Sequence, residues 1–225
     1  MKRRMMSRVV AVLFSLALVF SMASFASAAE GDDVSETAGT ITVKNGDAEE
    51  SFDTFDAAMA TVRAANDPGK KVITLSAGPY TPVNGETFRI NEPNTVIQGA
   101  GVDATVINTG DVSVSGQAGV LLQADGVEIR DLSVVSNNPG VSGGAIKASA
   151  IGDGVNNMPR LKGIVIENVS VSAGAGFGLN LHGVDGAVVT NVTGEKAVKA
   201  SVSVALADVT FTNLTTNESG WKADI

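Results

Sequence analysis

In four segments of the chain's second half, apolar residues alternate with polar ones, and each segment ends in the same way. The segments read DGVEIRDL from Asp125, GIVIENV from Gly163, GAVVTNV from Gly186 and DVTFTNL from Asp208. One polar residue recurs just before the last apolar position, namely Asp131, Asn168, Asn191 and Asn213. The three asparagines are 23 and 22 residues apart. This period, combined with the alternation, predicts a solenoid of stacked β-coils.

The alternation also predicts the core. Equivalent apolar positions should stack into aliphatic columns along the axis; they are Val127, Ile129 and Leu132, then Ile164, Ile166 and Val169, then Ala187, Val189 and Val192, then Val209, Phe211 and Leu214. We expect Asp131, Asn168, Asn191 and Asn213 to form an inward ladder at a turn, satisfying backbone groups of neighbouring coils. The asparagines also begin Asn-X-Ser/Thr triplets, as does Asn217, so N-glycosylation is the competing interpretation.

Upstream of the coils the apolar period changes. Apolar residues from Phe55 to Ala65 fall at three- and four-residue spacings, which predicts a helix from about Asp53 to Asn66, capped at Asp53-Thr54. This helix suits the cap that a solenoid needs over its first coil. Strands are predicted at residues 40–43, 71–75, 88–90 and from 95, and a turn is predicted at residues 77–80.

The N-terminus has the pattern of an export signal. Four cations precede an apolar run, and Ala26-Ser27-Ala28 is a small-residue cleavage site, so residues 1–28 are predicted to be a signal peptide. Residues 29–39 are interpreted as a flexible acidic leader, and residues 40–225 as one β-helix domain with its cap at 40–70 and coils at 71–225. No later run is long enough to cross a membrane. We expect an extracellular, cell-wall or cell-surface location.

Charge and cysteine content narrow the classes of partner. Removal of the four signal-peptide cations leaves 12 Lys and Arg against 24 Asp and Glu, a net charge of about -12. This balance disfavours nucleic acid and anionic membranes as partners. The chain has no cysteine, so a continuous core rather than disulfides must stabilise it.

The run TFDAAMATVRAANDPGKKVITLSAGPYTPVNGETFRINEPNTVIQGAGVDATVI, Thr54 to Ile107, together with the coils that follow it, resembles right-handed parallel β-helix proteins of the pectin lyase-like superfamily. The resemblance covers nearly all of the mature chain. It implies an all-β, right-handed parallel β-helix with one N-terminal capping α-helix. It does not imply one activity, because the superfamily includes lyases, hydrolases, esterases, epimerases, adhesins and non-catalytic surface proteins.

In the resembled lyases, acidic residues on an exposed sheet bind calcium, and an Arg or Lys removes a proton next to a sugar carboxylate. The resembled hydrolases use a group of aspartates. On the strand before each repeated segment, the outward positions are expected to be Val120 and Leu122, Ala145 and Lys147, Asn180 and His182, and Ser203 and Ala205. This face has no carboxylate, so we predict no metal site and no cofactor; calcium enters only under the lyase alternative.

Three residues of this face are predicted to bind ligand: Lys147, Asn180 and His182. Under the enzyme alternative, Lys147, His182 and Asp185 are the catalytic candidates. Lys147 and His182 are expected to be neighbours one coil apart, beside a loop at 151–159 that lengthens its coil. The competing interpretations are a solvent-facing histidine without a role and, for Asp185-Gly186, ordinary turn chemistry.

The sequence therefore predicts an exported β-helix module that binds a polysaccharide or another cell-surface component and has no evident catalytic constellation. The alternative is an enzyme of the pectate lyase or polygalacturonase type acting on acidic polysaccharide. A structural spacer is a third possibility. The last residues, from Gly220 to Ile225, resemble the opening of another coil, so we expect further coils or a partner to cover that end.

Overall fold

The computed structural model describes residues 39–82, 87–109, 118–136, 143–149 and 159–217. The predicted signal peptide, nearly all of the acidic leader, most of the loop at 151–159 and the segment from 218 onward lie outside these ranges. The described residues contain one helix, α1 (Phe55–Ala64), and these strands: β1 (Ile41–Asn45), β2 (Ala48–Phe52), β3 (Lys71–Leu75), β4 (Gly78–Tyr80), β5 (Phe88–Ile90), β6 (Thr95–Gln98), β7 (Thr105–Asn108), β8 (Ala118–Leu122), β9 (Glu128–Ser136), β10 (Gly144–Ser149), β11 (Leu161–Lys162), β12 (Val165–Ala173), β13 (Phe177–His182), β14 (Val184–Asp185), β15 (Ala187–Glu195), β16 (Ala200–Ala205) and β17 (Val209–Asn217).

Two parallel sheets run along the coils. The first, which we call the front sheet, has the order β16-β13-β10-β8-β5. The second follows β17-β15-β12-β9-β6-β3 and ends on the antiparallel strands β1 and β2. Residues Glu128–Arg130 of β9 pair with β6, whereas residues Ser133–Val135 pair with β7. The nine-residue strands therefore contribute to two faces, and with the front sheet they give each coil three faces.

The predicted aliphatic columns form the core of the described coils. The apolar positions of the first three repeated segments are each at most 1% exposed, as predicted: Val127, Ile129, Leu132, Ile164, Ile166, Val169, Ala187, Val189 and Val192. Pairing in register places Ile129, Ile166, Val189 and Phe211 on one another in successive strands. Val209, Phe211 and Leu214 pack against this core but are only partly buried, because they lie in the edge strand β17.

Helix α1 covers the apolar end of the first coil. Thr54 is its N-cap, and the Thr54 hydroxyl accepts a hydrogen bond from the Ala57 N–H at 3.2 Å. Phe55, Ala58, Met59 and Val62 form its buried side, and the ring of Phe55 meets that of Phe88 edge-on. The helix is two residues shorter at each end than the predicted range of about Asp53 to Asn66.

Two strands differ from the sequence prediction. Residues Gly78–Tyr80 form strand β4, which pairs with β7, whereas a turn was predicted there. The hairpin strand β2 was not predicted, because its sequence AEESF does not alternate and four of its five residues are exposed. It pairs antiparallel with β1 and forms the first edge of the second sheet. Within the described residues, no helix is long and apolar enough to cross a membrane.

A ladder of hydrogen bonds runs along one corner of the coils. Asn168 donates through its side-chain amide to Asp131, Asn191 donates to Asn168, and Asn213 donates to Asn191, at 2.8, 2.8 and 2.9 Å. All four residues have φ of 52–53°, and the parallel pairing skips them. Asparagine and aspartate tolerate this left-handed conformation, which turns the strand from one face to the next.

The ladder does not face inward as predicted. Asp131 and Asn168 are partly exposed, and Asn191 and Asn213 are exposed. Each asparagine donates its side-chain N–H to the ladder residue of the preceding coil. The ladder ends at the Asp131 carboxylate, which also accepts a hydrogen bond from the side-chain amide of Gln98. Because the amide nitrogens of Asn168, Asn191 and Asn213 are engaged, glycosylation of these residues would break the ladder.

We expect Asn191→Gly to lower the free energy of unfolding by about 2 kcal/mol, since it removes two ladder hydrogen bonds. Asn191→Ala should cost a further ~1 kcal/mol or more, because alanine disfavours the left-handed backbone that glycine adopts freely. Urea titration followed by circular dichroism measures both. Asn213→Gly, which removes one described ladder bond, is the control and should cost about half as much. Equal losses for the glycine and alanine variants of Asn191 would contradict the role assigned to its conformation.

Candidate functional site

The outward side of the front sheet carries a row of polar side chains. Lys147 in β10 pairs in register with Asn180 in β13, which pairs with Ser203 in β16. Their chain neighbours Ile146, Ala148, Leu179 and Leu181 are fully buried, so alternation points the three polar side chains away from the core. Asn180 is nevertheless buried, at 8% exposed, whereas Lys147 and Ser203 are partly exposed. The row continues through Leu121 of β8 to Arg89 of β5. We call the five residues the front row.

A second, shorter row lies two residues further along the same strands. His182 pairs with Ser149 of β10 on one side and with Ala205 of β16 on the other. The sequence predicted that Lys147 and His182 would be neighbours one coil apart. The register makes them diagonal, because Lys147 lies beside Asn180 and His182 lies beside Ser149. Lys147 and His182 are therefore diagonal neighbours on adjacent strands rather than a pair in register.

Three residues predicted to face outward face the core. Val120, Leu122 and Ala145 are each at most 1% exposed. Strand β8 reads AGVLL, and all five of its residues are buried, so alternation could not fix which ones face outward. The pairing of Leu121 with Lys147 shows that Leu121 holds the outward position. Leu121 therefore separates Arg89 of β5 from the polar residues that begin at β10.

Lys147 is the most unusual charged group on this face. Its side chain is partly buried, and this burial lowers the pKa of its amine, because removing water disfavours the charged form. Within the described part of the chain, Lys147 makes no ion pair that would offset the effect. A lysine in this state can donate hydrogen bonds to a ligand and can neutralise a single acidic group.

Asp185 lies outside the front sheet, three residues after His182. It lies in β14, which pairs with β11 in a separate two-stranded sheet, and positive-φ glycines flank this strand at Gly183 and Gly186. Asp125 has a similar structural role, since its carboxylate accepts a hydrogen bond from the Lys162 N–H at 2.8 Å. Asp125 is therefore a turn residue, and Asp185 lies in the short strand between the positive-φ residues Gly183 and Gly186.

Sequence reasoning missed the contribution of β5 and of the turn after β8. Arg89 donates a hydrogen bond to the side-chain oxygen of Gln123. Gln123 also borders an open depression of about 340 Å³ whose other lining residues are Pro93, Ala124, Asp125, Pro159, Arg160 and Leu161. The alternation in Phe88-Arg89-Ile90, with both apolar residues buried, was the available signal for an outward Arg89.

Among the residues that the structure describes, no group of three or more His, Asp or Glu side chains is placed to hold a metal ion. The outward positions of β5, β8, β10, β13 and β16 carry cationic, neutral polar or apolar side chains, and none of these described positions is Asp or Glu. The arrangement is suited to hydrogen bonding and to contact with a lone anion.

We expect Lys147 to react with acetic anhydride at a lower pH in the folded protein than in the same protein unfolded in urea, where its pKa returns to about 10.4. Peptide mass spectrometry across a pH series gives the half-maximal labelling pH in each state. Because burial penalises the charged amine, stability should rise with pH through the window between the lowered folded pKa and the unfolded value. An unchanged labelling midpoint on unfolding would contradict the effect of burial.

Comparison with known proteins bears on the fold. No protein-family model matches the chain, and no curated protein matches it in sequence. Two solved structures are similar to it: a pectin methylesterase in complex with a hexasaccharide, and the pectin methylesterase PemA from Erwinia chrysanthemi. Each is 14% identical with a TM-score of 0.53; they cover 77% and 81% of this chain. The chain spans about half of their length, 53% and 55%. It therefore has the right-handed parallel β-helix fold of the pectin lyase-like proteins.

Proposed function

We propose that this protein is an exported β-helix module that binds a polysaccharide on the front sheet. The observation that carries the proposal is the register of Lys147, Asn180 and Ser203 in three successive strands, beside Ser149 and His182. Strands of one sheet lie about 4.8 Å apart, so the partly exposed Lys147 and Ser203 lie about 10 Å apart, with the buried Asn180 between them. An extended sugar polymer offers hydroxyl groups that such a surface can hydrogen-bond.

Further support comes from the character of the surface. Lys147 is flanked in register by the neutral residues Asn180 and Leu121, and the other cation of the front row, Arg89, lies two strands away in β5. One of the two similar structures is a complex with a hexasaccharide, so a protein of this fold can bind an oligosaccharide of six sugars. The predicted signal peptide supports an extracellular or cell-surface location, where polysaccharides are available.

A second candidate function is lyase activity on an acidic polysaccharide. It is favoured by the lowered pKa of Lys147, because a lysine that loses its proton more easily is a better general base. In this reaction the amine would take the proton next to the sugar carboxylate, and the leaving oxygen would depart as the double bond forms. His182 is the remaining neighbour on the same face, while Asp185 lies in a different sheet.

We expect Lys147→Ala to weaken the binding of a soluble polysaccharide by about tenfold or more, since a hydrogen bond from a charged group contributes ~1.5 kcal/mol or more. Affinity electrophoresis in gels that contain polygalacturonate, xylan or β-glucan measures the retardation. Lys162→Ala is the matched control, because Lys162 lies in β11, outside the front sheet, and this variant should bind like the unaltered protein. Binding unaffected by both Lys147→Ala and His182→Ala would contradict the proposed surface.

The same preparations distinguish the second candidate. A lyase releases unsaturated sugars, which absorb ultraviolet light, so we expect the binding module to release none from polygalacturonate with or without calcium. Release that Lys147→Ala abolishes and Lys162→Ala preserves would replace the binding proposal by the enzymatic one.

A further inference from the structure

Strand β13 carries an aromatic residue that lies outside the hydrophobic core. Phe177, the first residue of β13, is partly exposed and neither belongs to the core nor packs against it. All other described aromatic residues form the core or pack against it; they are Phe52, Phe55, Tyr80, Phe88 and Phe211. A ring that packing does not use offers its apolar surface to a ligand.

The strand pairing explains why Phe177 points outward although Leu179, two residues later, points inward. The register of β13 with both of its neighbours skips Gly178. A Cβ atom at Gly178 would lie 3.0 Å from the side chain of the fully buried Val171, so this position faces the core, as Leu179 does. Two successive inward positions break the alternation and leave Phe177 on the outward side of the front sheet.

A cation lies over the ring of Phe177. The ammonium group of Lys199 is 5.3 Å from the ring centroid, and Lys199 is itself partly exposed. Because an ammonium group keeps contact with water, the ring beneath it lies at the protein surface. The residues in register with Phe177 are Gly144 in β10 and Ala200 in β16. Both are small, so the ring is the one large side chain of these three positions.

Phe177 and the front row share one outward face. Asn180 follows Phe177 by three residues, about 10 Å along a strand, and pairs with Lys147 and Ser203 on either side. A single sugar ring is too short to contact both Phe177 and Lys147. An oligosaccharide that lies along the strands, across the axis of the solenoid, can reach both.

The charge of the chain favours an uncharged sugar polymer. The full sequence has a net charge of -8, which repels a polyanion such as polygalacturonate as it approaches. Stacking of a pyranose ring on an aromatic ring buries C–H groups and needs no charge on the sugar. β-Linked glucans and xylans present a wide C–H face, because their ring substituents are equatorial.

We propose that Phe177 is a sugar-stacking residue, and that the front sheet binds an uncharged β-linked pyranose polymer whose chain runs along the strands from Phe177 toward Lys147 and Ser203. This inference rests on the polysaccharide binding proposed above and adds the class of the ligand and its direction. Phe177 packs against the C–H face of one sugar. Lys147 and Ser203 form hydrogen bonds with hydroxyl groups further along the polymer.

We expect Phe177→Ala to weaken the binding of soluble β-glucan or xylan by about fivefold to tenfold, and Phe177→Trp to bind at least as tightly as the unaltered protein. Affinity electrophoresis in gels that contain each polymer measures both. Lys199→Met should retain this binding, because the stacking does not depend on the ammonium group. Val198→Ala is the matched control, since it removes a half-exposed apolar side chain next to Lys199 and leaves the ring in place. Equal urea midpoints for the Phe177→Ala and unaltered proteins verify that the variant is folded.

Competition tests the length and direction of the ligand. A β-linked hexasaccharide should release the protein from the polymer, whereas the monosaccharide at the same concentration of sugar units should not. Unchanged binding by Phe177→Ala, an equal loss in Phe177→Ala and Lys199→Met, equal competition by the monosaccharide, or retardation by polygalacturonate alone would overturn the inference. If Lys147→Ala still weakens binding in such a case, the proposed polysaccharide binding stands without it. Retardation by none of the polymers would overturn both.

Discussion

Parallel pairing in register is the constraint on which the rest of this structure depends. Each residue of a coil lies on its equivalent in the next coil, at the strand spacing of about 4.8 Å. A position that faces the core must therefore be apolar in every coil, as Ile129, Ile166 and Val189 are. A position that turns the chain must tolerate the left-handed conformation in every coil, as Asn168 and Asn191 do. Core, corners and sheet surface all follow from this repetition.

The same constraint explains how much of the fold was accessible from the sequence. The columns from Val127 to Val192 were predictable, because the same apolar positions recur in several coils. The capping helix was predictable, because its apolar spacing follows a clear N-cap at Thr54. Strand β2 was not predictable, since its exposed residues obey no period, and the outward residue of β8 was assigned wrongly because AGVLL has no polar member to fix its phase. A strand can be predicted from local sequence when buried and exposed residues alternate along it. The prediction fails when all of its residues are buried, as in β8, or nearly all are exposed, as in β2.

The candidate site was less accessible for a related reason. Outward positions of the front sheet need not be apolar in every coil, so successive coils carry Leu121, Lys147, Asn180 and Ser203 at the same place. Lys147, Asn180 and Ser203 were predicted to lie on this face. Which residues are neighbours across strands depends on how adjacent coils align, and the sequence of a single coil does not specify that alignment. The diagonal arrangement of Lys147 and His182, and the assignment of Asp185 to another sheet, became visible only with the strands paired.

The ladder at the corner has a consequence for how such a protein changes over evolutionary time. Successive ladder residues are separated by 37, 23 and 22 residues of chain, yet the bonds that join them have nearly the same length, 2.8, 2.8 and 2.9 Å. Extra chain in the longest interval therefore leaves the corner geometry unchanged, and the entropic cost of a longer loop grows only slowly with its length. New surface loops can thus be acquired one coil at a time while the columns and corners stay fixed, which makes the coil the unit of variation in this protein.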